Sequence, residues 1–245
     1  MSLFNGQDLI AQVAIDCVIF GYQDKQLKVL INKLNFKGDF FSLPGGLIFQ
    51  NESVTTAAYR ILEERTSLSE IYLDQFYVFG DAERTNADVF NQLVAMNPES
   101  FGVDKLSKSD MDWITSRFIS IGYYALVDIN KVKPKKTALD QSVEWYNIKD
   151  LPLMIVDHNE IVKKGLDALR SHLDEKILAS NLLPDTFTIK DLQQLYEAIF
   201  DKTFARNNFQ RKILDLDILE RLEKKFTGAQ NKAPYLYRFK KREGY

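Results

Sequence analysis

The chain has 245 residues, 45% hydrophobic and 27% charged, with a formal net charge of -2, a balance typical of a globular protein with one large domain or two. Its single Cys17 excludes an intrachain disulfide and fits a reducing cytoplasm. No apolar run approaches the roughly 20 residues that span a bilayer, and the N-terminus lacks the charged-then-apolar layout of a secretory signal.

The charge is unevenly spread. Residues 186–245 hold 13 Lys and Arg against 8 Asp and Glu, a net of +5, which leaves -7 for the rest. A basic tail domain on an acidic body suits a nucleic-acid binder with a separate sensing domain, although solvated C-terminal helices are often mildly basic too.

In chain order, Val13–Phe20 and Leu27–Lys33 are rich in β-branched residues and read as two strands joined by a turn over 21–26. Leu43-Pro44-Gly45-Gly46 follows, where two glycines after a proline permit a tight turn and close approach to a ligand. Val54, Ala57, Ala58, Ile61 and Leu62 then repeat at i, i+3, i+4, i+7 and i+8, the apolar stripe of an amphipathic helix.

The spacing Gly46, five residues, Glu52, seven residues, Arg60-Ile61-Leu62-Glu63-Glu64-Arg65-Thr66-Ser67-Leu68 resembles the Nudix box. Gly46, Glu52, Arg60, Leu62, Glu64 and Leu68 match it. Two acidic positions are lost to Ile61 and Arg65, and the late glycine to Ser67. In Nudix hydrolases this helix presents clustered carboxylates to Mg²⁺, which holds a diphosphate. Here the cluster is broken, so the resemblance implies the fold while the residues argue against hydrolysis; no catalytic residue, metal or cofactor is expected. Glu52 and Arg60 read as an ion pair bracing loop to helix. Glu64 is either a residual ligand contact or a solvated helix residue. A pocket without a metal cluster suits a ligand held by hydrogen bonds, and its candidate liners are Asp16, Lys33, Gly45, Gly46, Asp81 and Arg117.

Further strands are expected within 71–83 and over 118–127, with a partly helical stretch, 84–117, bordering the pocket. A helix over 157–173 is expected to connect the pocket to the C-terminal module, with Asp157 and Glu160 at capping-box spacing. His158 reads as a structural histidine.

Thr188 and Asp191 approximate another capping box, ahead of a stripe formed by Ile189, Leu192, Leu195, Tyr196 and Ile199. After a break at 201–204 comes a second helix with Phe209, Ile213 and Leu216 as its buried face. Arg206, Asn207, Gln210 and Arg211 lie between those apolar positions, and Arg, Asn and Gln make the paired hydrogen bonds that read base edges. With a hairpin ending in Tyr235–Phe239, the pattern reads as a winged helix-turn-helix; a helix pair serving as a protein interface is the other reading. The expected DNA-contacting set is Thr188, Lys190, Arg206, Asn207, Asn208, Gln210, Arg211, Lys212, Lys232 and Arg238.

Taken whole, the chain resembles the Nudix-related transcriptional regulators, on Leu43–Gly46, the damaged box, Phe79-Gly80-Asp81, Asp157-His158, Phe187-Thr188, Leu192-Gln193, Leu195–Glu197, Asn208–Lys212 and Leu236–Phe239. That resemblance implies an α+β protein: a Nudix-like α/β/α sandwich with a mixed sheet over 1–155, then a connector helix and winged helix-turn-helix over 156–245. It implies a homodimeric cytoplasmic repressor that binds operator DNA and answers to a small effector, with no membrane partner. Effectors in the family are ADP-ribose-type nucleotides or, in regulators of sugar catabolism, pentoses such as L-arabinose. The nucleotide-sensing Arg-Asp-Pro-Arg run gives way here to Glu83-Arg84-Thr85-Asn86, and two box carboxylates are gone, so a neutral pentose is expected. A Mg-dependent Nudix hydrolase of ADP-ribose or a sugar nucleotide is the alternative, and a protein-binding scaffold a third.

Overall fold

The computed structural model describes residues 8–69, 71–101, 107–176, 182–225 and 233–240. Its larger sheet is built round β1 (Leu9–Gln23), which pairs antiparallel with β2 (Gln26–Leu34). Between these two strands insert β3 (Phe41–Ser42), paired with β2, and β4 (Gly45–Phe49), paired with β1. The box helix α1 (Val54–Thr66) follows, then β5 (Leu73–Phe79) and the short helices α2 (Ala87–Met96), α3 (Pro98–Phe101) and α4 (Lys108–Thr115). Strand β6 (Ile119–Val127) runs parallel to β1 and antiparallel to β5, and β7 (Asp140–Asn147) lies antiparallel to β2. The sheet is therefore mixed, as the resemblance implies.

Alternation along β1 explains the layering, because successive side chains in a strand point to opposite faces. Ile15, Cys17 and Ile19 pack with Ala57, Ala58, Ile61 and Leu62 of α1. Val18 and Phe20 face the other way, towards Ile161, Val162 and Leu169 of α5 (His158–Ser171). Each such fully buried aliphatic stabilises the sandwich by roughly 1.5–3 kcal/mol. Gly165 lets α5 lie close to the sheet, since a Cβ there would sit 3.2 Å from Val18. The helix expected to connect the pocket to the C-terminal module also forms the second outer layer of the sandwich. The short helix α6 (Leu173–Lys176) follows it.

Three local expectations are corrected. The β1–β2 turn is only Asp24-Lys25, both at positive φ (53° and 61°), and Gly21, Tyr22 and Gln23 belong to the strand. Strand β7 was not expected at all. Asp157 occupies the N-cap of α5 without a side-chain capping bond, because its carboxylate is committed elsewhere.

The C-terminal module contains β8 (Phe187–Thr188), α7 (Ile189–Phe200), α8 (Arg206–Asp215), β9 (Leu219–Lys224) and β10 (Tyr235–Phe239), with a three-stranded sheet in the order β8-β10-β9. The capping box of α7 is present in both directions: Thr188 Oγ1 accepts from Asp191 N at 3.2 Å, and Asp191 accepts from Thr188 N at 2.8 Å. Phe209 and Ile213 are buried as expected, whereas Leu216 is 37% exposed at the C-cap of α8. The tip of the expected wing, including Lys232, lies outside the described residues. No helix among the described residues is long and apolar enough to cross a membrane.

Candidate effector groove and nucleic-acid face

The box helix starts at Ser53, whose hydroxyl accepts from Thr56 N at 3.1 Å. Glu52 and Arg60 do pair: Arg60 Nε donates to Glu52 Oε2 at 3.0 Å and Nη2 to Oε1 at 2.6 Å. Arg60 Nη2 also donates to Leu47 O at 2.9 Å, and Glu52 accepts from Phe49 N at 2.8 Å, so the pair ties β4 to α1. The Arg60 hydrogen bond lowers the carboxyl pKa of Glu52, and Glu52 in turn raises that of the guanidinium.

The residues do not fit a magnesium cluster. Ile61 is 1% exposed and packs within 3.0 Å of where a Gly46 Cβ would be. Arg65 turns to a buried partner, Asp140, whose carboxylate also accepts from Thr137 N and Oγ1, both at 2.7 Å. The exposed Glu64 carboxylate lies 3.3 Å from Arg60 Nη1. Among the described residues no three His, Cys, Asp or Glu side chains converge as metal ligands.

A second polar cluster lies where β1, β6 and the start of α5 meet. The side chain of Arg84 is buried; its Nε and Nη2 donate to the two oxygens of Asp157 at 2.8 and 2.9 Å, and Nη1 donates to Phe118 O at 2.9 Å. The Asp16 carboxylate accepts from Ser120 Oγ and lies 3.9 Å from Arg84 Nη2 and 3.7 Å from His158 Nε2. His158 Nδ1 accepts from Leu43 N at 2.9 Å, so its neutral ring carries the proton on Nε2, towards Asp16. This histidine is structural, locking the Pro44-Gly45-Gly46 turn to α5.

Beside this cluster a groove of about 620 Å³ runs between α2 and the segment 153–157, with Phe40, Val89, Leu153 and Met154 as apolar lining. Asp39, Asp81, Glu83 and Asp88 add carboxylates, and among the described residues Arg84 is the one cation that lines it. Of the expected effector residues, Asp81 lines the groove. Asp16 sits behind it against Arg84, and Lys33 pairs at 3.0 Å with the groove residue Asp39. Gly45 and Gly46 serve the β1–β4 ladder, where a Gly45 Cβ would sit 2.6 Å from Ile15 O. Arg117 is exposed and does not line the groove. Sequence reasoning missed Arg84 and Asp157; a pair 73 positions apart leaves no periodic signal.

On α8, Arg206, Asn207, Asn208 and Arg211 are exposed and Gln210 is half-buried, opposite Phe209 and Ile213. Lys190, in the first turn of α7, is exposed. Three other members of the expected set have internal partners: Thr188 in its capping box, Lys212 with Asp174 at 2.7 Å, and Arg238 with Glu220 at 2.8 Å.

Comparison with known proteins follows this division. Residues 179–239 match the model of the NrtR DNA-binding winged helix domain. The ADPR responsive transcriptional repressor NtrR of Acinetobacter baylyi is 24% identical over 233 residues, covering 93% of this chain and 81% of that protein. The structure of Shewanella oneidensis NrtR complexed with a 27mer DNA superposes with a TM-score of 0.67 at 22% identity, over 94% of each chain. A MutT/nudix family protein from Enterococcus faecalis gives a TM-score of 0.65 at 17% identity, over 95% of this chain and 89% of that one. The fold is that of a Nudix-like domain followed by a winged helix, and its C-terminal segment is similar to the DNA-binding domain of NrtR.

Proposed function

We propose that this chain is a ligand-responsive, DNA-binding transcriptional repressor whose Nudix-like domain senses rather than hydrolyses. The observation that carries the reading is the exposed Arg206, Asn207 and Arg211 on α8, within a segment matching a DNA-binding winged helix. Arg and Asn at such positions read base edges in the major groove. The repressor acts as a homodimer, so that two α8 helices meet two half-sites. Its role as a sensor rests on the box helix, where Ile61, Arg65 and Glu64 are all turned to other uses.

The relative's name makes ADP-ribose the leading effector. The expected L-arabinose, and with it a role in sugar catabolism, keeps one supporting observation: the groove is rimmed by carboxylates, and among the described residues that line it the one cation, Arg84, is already paired with Asp157. DNA-binding anisotropy with ADP-ribose and L-arabinose in parallel separates the two. Release of DNA by one sugar and not the other assigns the effector class. Mg²⁺-dependent cleavage of ADP-ribose that disappears in Glu64→Ala restores the hydrolase reading, and absence of DNA binding at low salt removes the repressor reading.

A further inference from the structure

Helix α5 is held at both ends by side chains that belong to different functions. At its start, Asp157 grips Arg84 of the groove, His158 accepts from Leu43 N, and Asn159 bridges Met154 N at 2.8 Å and Pro152 O at 3.0 Å. The preceding Val156, a groove-lining residue, sits at φ 51°, a left-handed conformation that β-branched side chains strongly resist. At its end, Arg170 Nε donates to Ile199 O in the last turn of α7 at 2.8 Å. One short turn on, Asp174 accepts from the Tyr196 hydroxyl of α7 at 2.9 Å and pairs with Lys212 of α8 at 2.7 Å. The Lys212 ammonium also lies 5.8 Å from the centre of the Tyr196 ring. Leu169 and Leu173 share one apolar core with Leu192, Leu195, Ile199 and Phe209.

We infer that α5 is a lever from the groove to the DNA-reading helices, and that Asp174 is the residue through which it sets the position of α8. The inference deepens the repressor reading and rests on it. The 14-residue helix spans about 21 Å, from the groove end to the turn that contacts α7. A single carboxylate then holds both helices of the DNA-binding pair, so a shift of α6 moves α7 and α8 together. An occupant of the groove that disturbs the Arg84–Asp157 pair relaxes the strained Val156 and lets the start of α5 move. Coupling needs two arrangements of one element that both sites bias, and α5 with α6 is such an element.

The test is a double-mutant cycle read in two ways. Asp157→Asn loosens the groove end, Asp174→Asn loosens the far end, and the two are combined. Hydrogen exchange in α7 and α8 is followed for each variant, as is binding to a genomic DNA fragment recovered with the unmodified protein. Asp157→Asn is expected to shift the DNA Kd about fivefold and to speed exchange in α7, with both effects falling below about twofold when position 174 is already Asn. Val156→Gly, which removes the backbone strain and leaves the Arg84 contact in place, is the second perturbation if Asp157→Asn does not fold. Equal effects in the two backgrounds, or no effect of either groove-end variant on α7, overturn the proposal. If the unmodified protein binds no DNA, the repressor reading falls, and hydrogen exchange alone decides whether the lever exists.

Discussion

Arg65 in the last turn of α1 and Asp140 at the start of β7 form an ion pair whose side chains are only 11% and 1% exposed. The cation that displaced a box carboxylate has therefore become a fastening between α1 and the strand on the far side of β2. Removing one partner strands a buried charge, whereas replacing both with apolar groups does not.

Asp140→Ala is accordingly expected to lower unfolding free energy by about 3 kcal/mol, and Arg65→Met with Asp140→Leu to recover most of it. Urea denaturation checks both. Arg65→Glu, which restores the acidic letter of the box, sets two carboxylates together and is expected to destabilise the fold without creating Mg²⁺ affinity in calorimetric titration. Equal stability of Asp140→Ala and the parent chain refutes the fastening role.

Glu52 predicts a pH dependence. Its hydrogen bond from Arg60 holds its folded pKa below the ordinary 4.5. The stabilisation is therefore fully present above that value and is lost as pH falls through the depressed folded value. Glu52→Gln should narrow its stability deficit relative to the parent protein as pH drops below 4.5. A deficit that stays constant down to acid unfolding contradicts the assignment.

For DNA, Arg211→Ala is expected to weaken binding by roughly 1–3 kcal/mol, with the loss concentrated on particular base pairs if the guanidinium reads a base. If it meets a phosphate, affinity drops on all sequences and the slope of log K against log salt falls by about 1. Arg238→Ala, whose guanidinium is held by Glu220, should change both far less. Anisotropy at several salt concentrations distinguishes these outcomes, and an unaffected Arg211→Ala removes the residue from the interface.

Gly45→Ala should destabilise the chain by about 2 kcal/mol, because the added methyl meets backbone at Ile15 O, which cannot step aside within the β1–β4 ladder. A melting temperature equal to that of the parent shows that the ladder yields.

The parts legible in the sequence are those written in local periodicity. The stripe of α1, the capping box of α7, the alternation of β1 and the buried Phe209 and Ile213 each follow from neighbours within a few positions. Strand β7 escaped notice because Asp-Gln-Ser-Val-Glu-Trp-Tyr-Asn alternates weakly and carries two carboxylates. Asp157 looked like a helix cap because its spacing to Glu160 is right; a buried guanidinium 73 positions earlier outcompeted the backbone for it. The partner that the fold sets beside Lys212, Asp174, lies 38 positions away and leaves no local signal. Residues that act across the sequence are invisible to rules about near neighbours, and the groove is made almost wholly of them.

The apolar interior that begins at Val18 and Phe20 in the large sheet runs without interruption to Ile213 and Tyr237 in the winged helix. Cutting the chain between the modules leaves each fragment with a raw, water-exposed surface where the other had been. The winged-helix module should therefore melt in one step with its neighbour, and an excised copy is a poor stand-in for the intact molecule.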